Sequence, residues 1–195
     1  MSARRASITR KTNETEVKVT LDLDGTGTAS VETGVGFLDH LLTALARHAR
    51  IDLWLTCKGD LGVDDHDSAE DCALTLGAAI DSALGERRGF ARFGSAYAPL
   101  DEALARAVID FSGRGCAIVN LALKRDAIGE LACENISHFV SSLAAAARAA
   151  VHLDVLRGEN DHHKAEAAFK ALALALRMAL VRSQDGLVPS TKGVL

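Results

Sequence analysis

At 195 residues, 48% hydrophobic and only 4% aromatic, the chain is long enough to bury a sizeable core of Ala, Leu and Val, as one compact unit or as two fused halves. Its formal net charge of −4 gives no electrostatic reason to expect nucleic acid, because phosphate-backbone binders carry a basic excess. Cys57, Cys72, Cys116 and Cys133 are too far apart for a Cys-x-x-Cys pair, and neither an apolar leader nor an uninterrupted apolar span is visible, so a cytoplasmic protein without a membrane segment is expected.

Residues 17–23 alternate apolar and polar side chains as a half-buried strand does, and residues 29–33 are expected to partner them across a Gly-rich turn. Helical periodicity follows over 38–50, and strand alternation over 51–57. Residues 68–87 place Ala69, Ala73, Leu76, Ile80 and Leu84 on one face of a longer helix. Residues 89–100, with Gly94 and Pro99, are expected to be a joint. Beyond it the order repeats: strands at 105–111 and 117–123, a helix at 137–150, a strand at 151–156 and a helix at 164–181.

The repetition extends to single residues. His40 and His138 match at an offset of 98 within similar helical segments, and His66-Asp67-Ser68-Ala69-Glu70 matches His162-His163-Lys164-Ala165-Glu166 at an offset of 96. Between them lie Lys58-Gly59-Asp60 and Arg157-Gly158-Glu159, and an earlier echo sets Asp110-Phe111-Ser112-Gly113 over Asp22-Leu23-Asp24-Gly25 at an offset of 88. The fold expected is therefore α+β and internally duplicated. It has two ββαβα halves, residues 1–90 and 91–195, in one compact unit with the helices packed between two sheets.

A four-residue step on a helix puts two side chains on the same face, roughly 6 Å apart at Cβ. His66 with Glu70, and His162 with Glu166, are thus each able to share one metal ion. One such pair is usually a surface or capping pair. Two at matching positions, each about 25 residues after another matching histidine, reverse those odds. Neighbouring helical residues diverge by about 100°, so Asp67 and His163 point away from the ion of their own pair. Two metals with ligands from different subunits are expected. Asp64, Asp65, Asp67, Glu70 and Asp71 repel one another unless cations compensate. The plainer alternative is an acidic, solvated loop that caps the helix, and Asp65 or Asp71 serves only that purpose or orients ligand imidazoles. Imidazole and carboxylate donors without thiolate suit Mn, Fe, Co or Zn.

Phe37-Leu38-Asp39-His40, Ala46-Arg47-His48, Gly59-Asp60-Leu61, Asp64-Asp65-His66 with Glu70-Asp71, Arg92-Phe93-Gly94, Pro99-Leu100-Asp101-Glu102, Ser112-Gly113-Arg114, His162-His163 with Glu166-Ala167, Phe169-Lys170-Ala171 and Pro189-Ser190-Thr191-Lys192-Gly193 run nearly the length of the chain. In this order they resemble the imidazoleglycerol-phosphate dehydratase family. The resemblance implies two similar α+β halves, a homo-oligomer of 24 subunits, and two Mn2+ ions per active site at subunit contacts. It implies that D-erythro-imidazole-glycerol phosphate loses water to give imidazole-acetol phosphate, a step of histidine biosynthesis. By position, the metal ligands implied are His40, His66, Glu70, His138, His162, His163 and Glu166, and the substrate contacts are Glu14, His48, Arg92, Arg114, Lys170, Ser190 and Lys192. Asp67 stands where most of the family has a second histidine. A carboxylate still binds a hard ion such as Mn2+, with a shorter reach and an added negative charge. Thr43-Ala44 replaces the commoner Asp-Gln.

Such a dehydration removes a proton from a carbon that no carbonyl activates, so the imidazole ring must receive the electrons. Two divalent ions at the ring nitrogens favour this. By resemblance Glu14 is the general base and acid; on its own it reads as an exposed strand-end carboxylate. Arg92, Arg114, Lys170 and Lys192, with Ser190, are expected to anchor the phosphate. No Gly-x-Gly-x-x-Gly loop calls for a dinucleotide. Two other readings stay open: a metal-binding relative whose catalysis is weakened through Asp67, and a dinuclear hydrolase.

Overall fold

The computed structural model describes residues 3–195, and two four-stranded sheets of the same topology organise it. The first half runs β1 (Arg5–Lys11), β2 (Thr15–Asp22), β3 (Ala29–Glu32), α1 (Gly36–Ala49), β4 (Asp52–Gly59) and α2 (His66–Leu84). The second runs β5 (Phe93–Leu100), β6 (Ala103–Asp110), β7 (Cys116–Asn120), a small hairpin of β8 (Ala127–Ile128) and β9 (Leu131–Ala132), α3 (Cys133–Ala146), β10 (Ala150–Arg157) and α4 (Asp161–Ala179). The sheet orders are β1-β2-β4-β3 and β5-β6-β10-β7. In each, the last pair is parallel and joined by a crossover helix, α1 or α3. The α+β duplication expected from the sequence is the architecture found.

Strand alternation divides the faces. In β2 Val17, Val19 and Leu21 are buried while Lys18 and Thr20 face water, and in β4 Leu53 and Leu55 are buried while Trp54 and Thr56 are exposed. On the buried faces α2 covers β1 and β2, and α4 covers β5 and β6. Between the sheets the helices pack across the two halves, α1 on α4 and α2 on α3. Gly77 makes the second crossing close: a Cβ there would lie 2.7 Å from both the Leu143 carbonyl oxygen and the Ala146 Cβ. Phe139 of α3 and Phe169 of α4, with ring centroids 6.0 Å apart, link the two helix pairs through the core. No helix among the described residues is long and apolar enough to cross a membrane.

The structure corrects the sequence reading, so that each half is βββαβα, with the unforeseen β8–β9 hairpin added before α3 in the second. Residues 29–33 do not pair with 17–23: β4 separates β3 from β2, and β3 runs parallel to β4. The cause is Asp52, whose carboxylate accepts the backbone N–H groups of Thr26, Gly27 and Thr28 at 2.8, 3.0 and 2.8 Å and turns the chain past β4. Residues 89–100 are more than a joint, since they carry edge strand β5. Gly94 there is a contact glycine, because a Cβ would press into the Ala175 carbonyl of α4, and Pro99 is tolerated because an edge strand can forgo a donor. The polar β1 is a second unforeseen edge strand, with only Ala6 and Ile8 half-buried against the core. The division drawn between residues 90 and 91 falls between α2 and β5.

Candidate active site

Helix packing across the halves decides which histidines meet. His40 on α1 joins His162 and Glu166 on α4, and His138 on α3 joins His66 and Glu70 on α2. In each trio one nitrogen of each imidazole and one carboxylate oxygen all lie within 4.8 Å of one another. Glu166 Oε2 is 3.3 Å from Nε2 of both His40 and His162, and Glu70 Oε1 is 3.0 Å from His138 Nε2. The His-x-x-x-Glu pairs thus share a face as their spacing requires, and the third member of each trio comes from the opposite half. Two imidazoles and one carboxylate are a donor set that a divalent first-row cation accepts, with coordination positions left over.

Charge differs between the trios. Burial pushes the Glu166 carboxyl up, yet hydrogen bonds from Lys170 and His40 outweigh it and hold it at about 2; Lys170 Nζ lies 2.7 Å from Glu166 Oε1. His48, half-buried beside this trio, is held below the usual imidazole value by burial and then by Lys170. In the other trio His66 is raised, first by its hydrogen bond to Asn135 and then by Glu70 and Asp67 against burial. The His66 Nδ1 to Asn135 Oδ1 distance is 3.0 Å.

Asp67 and His163 fall outside both trios, as their helical phase predicts. His163 Nδ1 is 2.7 Å from Glu102 Oε2. Glu102 raises His163 and is itself held at about 2, first by the Asn160 backbone N–H and then by His163. The Asp67 side chain makes no hydrogen bond or ion pair among the described residues. In the acidic run, Asp64 accepts the His66 N–H at 2.9 Å, Asp65 accepts the Ala132 N–H at 2.8 Å, and Asp71 pairs with Arg10 at 2.6 Å and with the Thr15 hydroxyl. The contacts of Asp65 and Asp71 are thus structural.

Glu14 is exposed in the turn between β1 and β2. Arg92 donates to Asp110 at 2.6 Å and to the Pro189 carbonyl at 2.8 Å, which ties the C-terminal segment to β6. There Ser190 Oγ accepts the Lys192 N–H at 3.2 Å, and Gly113, beside the exposed Arg114, backs onto Leu195. Arg92 and the backbone beside Arg114 thus touch the tail segment that carries Ser190 and Lys192. Lys170 and His48 stand apart from them, beside the His40 trio.

Sequence reading missed Asn135 and Glu102 as functional candidates. Both were visible through the duplication: Glu102 lies 88 residues after Glu14 in the matching hairpin turn, and Asn135 lies 98 after Phe37.

The family model described as imidazoleglycerol-phosphate dehydratase matches residues 33–176, a span that contains both trios. The chain belongs to the imidazoleglycerol-phosphate dehydratase family. A protein of that name from Phytophthora nicotianae is 60% identical over 98% of this chain, which spans 42% of that longer protein. The one from Chlorobium luteolum is 54% identical over 98% of this chain and 96% of its own. Among solved structures, imidazoleglycerol-phosphate dehydratase from Staphylococcus aureus is 32% identical with a TM-score of 0.83, over 92% of this chain and 99% of its own. The Pyrococcus furiosus structure, a complex with (S)-C348, is 39% identical with a TM-score of 0.84, over 96% and 100%. Membership makes the chain an enzyme, a dehydratase among the lyases.

Proposed function

We propose that this imidazoleglycerol-phosphate dehydratase family member removes water from D-erythro-imidazole-glycerol phosphate, giving imidazole-acetol phosphate in histidine biosynthesis, with two divalent cations, Mn2+ by preference, in its site. The observation that carries the reading is the pair of His-His-Glu trios, one on each helix pair, in a chain of this family. His40, His162 and Glu166 would hold one cation, and His66, Glu70 and His138 would hold the other. His163 and Asp67, outside the trios of their own chain, would complete the trios of neighbouring subunits. Cations held there would supply Lewis acidity able to stabilise negative charge on the imidazole as the adjacent C–H bond breaks.

This chain's own residues supply the rest. Glu14 takes the proton from the carbon beside the ring and returns one to the departing hydroxyl, which leaves as water. Its exposure at a hairpin tip lets it reach across a subunit contact. Arg114, Ser190 and Lys192 bind the phosphate, with Arg92 holding the tail segment in place through Pro189, while Lys170 and His48 line the side next to Glu166. Exposed Trp54, Phe93, Tyr97 and Ile118 on the outer sheet faces support a homo-oligomer, proposed to have 24 subunits and to work in the cytoplasm.

A turnover assay with imidazole-glycerol phosphate tests this. Dehydration should be lost on chelation and restored by Mn2+. A fully loaded protein without turnover would favour the weakened relative, and ester hydrolysis in place of dehydration would favour the hydrolase.

A further inference from the structure

The duplication that builds two similar trios does not build their surroundings alike. Asn135 sits on α3 three residues before His138, and its counterpart on α1, three residues before His40, is Phe37. Asn135 is only 3% exposed, and its Oδ1 lies 3.0 Å from Nδ1 of His66. Phe37 instead packs its ring on the other trio, with centroids 5.0 Å from His162 and 6.1 Å from His40. In one trio a histidine is oriented through its second nitrogen by a neutral amide outside the trio, whereas in the other His40 and His162 meet Phe37 on their ring faces and have only the shared Glu166 as a polar partner. The second trio also carries an internal competitor, since Lys170 Nζ already occupies Glu166 Oε1 at 2.7 Å.

Resting on the two-cation reading above, we propose that Asn135 is a positioning residue that makes the two metal sites unequal, so that the His66–Glu70–His138 site binds its cation first and more tightly. An amide oxygen accepting from Nδ1 requires the proton on that nitrogen, and so leaves the Nε2 lone pair of His66 for a cation. The ring is also held in one orientation before the ion arrives, and ordering it then costs nothing further. At His162 the apolar ring of Phe37 offers no acceptor, so it favours neither tautomer. In that site a cation must also compete with the Lys170 ammonium for Glu166.

The experiment is a titration of the chelator-stripped full-length protein with Mn2+, read by the electron paramagnetic resonance signal of the free ion. Two sites per chain at least about tenfold apart in affinity are expected, the spacing that loss of one outer-shell partner typically produces. Glu70→Gln should abolish the tight class, and Glu166→Gln the weak one. Asn135→Leu should weaken the tight class by about tenfold or more and leave the weak class in place, and Asn135→Asp, which keeps an acceptor, should restore it. Phe37→Asn, which offers an acceptor beside His162, should tighten the weak class and provides a reading if Asn135→Leu does not fold. The inference is overturned if the two classes are equal in the native chain. It is also overturned if Asn135→Leu leaves the tight class unchanged or weakens both alike, or if Asn135→Asp fails to rescue. Failure of the native protein to bind Mn2+ at all would instead remove the two-cation reading beneath it.

Discussion

Asp67 and His163 occupy matching positions on α2 and α4, and Glu14 and Glu102 occupy matching hairpin turns. In the second half these positions form a carboxylate–imidazole hydrogen bond at 2.7 Å, whereas in the first they are two carboxylates, which cannot form one. Glu14 is left without an imidazole partner, which suits the base proposed for it. Glu14→Gln should lower kcat by about 10²–10⁴ with little change in KM, measured on Mn2+-loaded protein. Asp67→His should tighten Mn2+ binding, and titrations that show no change would remove Asp67 from the ligands. Beneath the trio of α4, Asp161 and Lys164 form an ion pair at 2.8 Å with side chains 3% and 2% exposed. Lys164→Ala leaves that carboxylate buried without its counter-ion, and unfolding in denaturant should show a loss of about 3–5 kcal/mol. Burial raises the Asp161 carboxyl, but Lys164 and the backbone N–H groups of Lys124 and Arg125 prevail and hold it at about 2. Its folded value is thus below the unfolded value of about 3.9. The stability it contributes is present above about pH 4 and is lost as pH falls toward the folded value. Asp161→Asn should flatten that acid limb of the denaturant midpoint.

The helices matter more than the strands for where the chemistry lies, because the trios form only where α1 crosses α4 and α2 crosses α3. At Gly77 the α2–α3 crossing has no room for a methyl group. Gly77→Ala should cost about 1–3 kcal/mol in thermal unfolding and weaken Mn2+ at the His66 trio more than at the His40 trio. The reverse order of effects would place the critical crossing elsewhere. Helix faces were legible in the sequence because periodicity reports burial, and the His-x-x-x-Glu pairs were legible because they need only helical geometry. The exchange of His40 and His138 between halves was not legible, since it depends on tertiary packing that leaves no local pattern. β1 and β5 were hidden for a related reason: an edge strand exposes polar side chains, and β5 contains a glycine and a proline that serve packing and edge placement rather than a break. β3 was assigned to the wrong neighbour because the Asp52 contacts that redirect it come from 24 to 26 residues away.

As a whole the molecule buries its helices between two sheets and leaves the outer faces of those sheets, with Trp54, Phe93, Tyr97 and Ile118, exposed. Each trio provides three donors, and Asp67 and His163 lie outside the trios of their own chain. A cation that draws further ligands from a neighbour would hold subunits together, so chelation should lower the sedimentation coefficient, and unchanged sedimentation after complete metal removal would count against shared sites. The same geometry allows a direct test of where the cations reside. In crystals grown with Mn2+, an anomalous-difference map should show two peaks per chain, one within ligand distance of His40, His162 and Glu166 and one within ligand distance of His66, Glu70 and His138. Peaks located elsewhere, or none at these trios in fully loaded protein, would contradict the assignment.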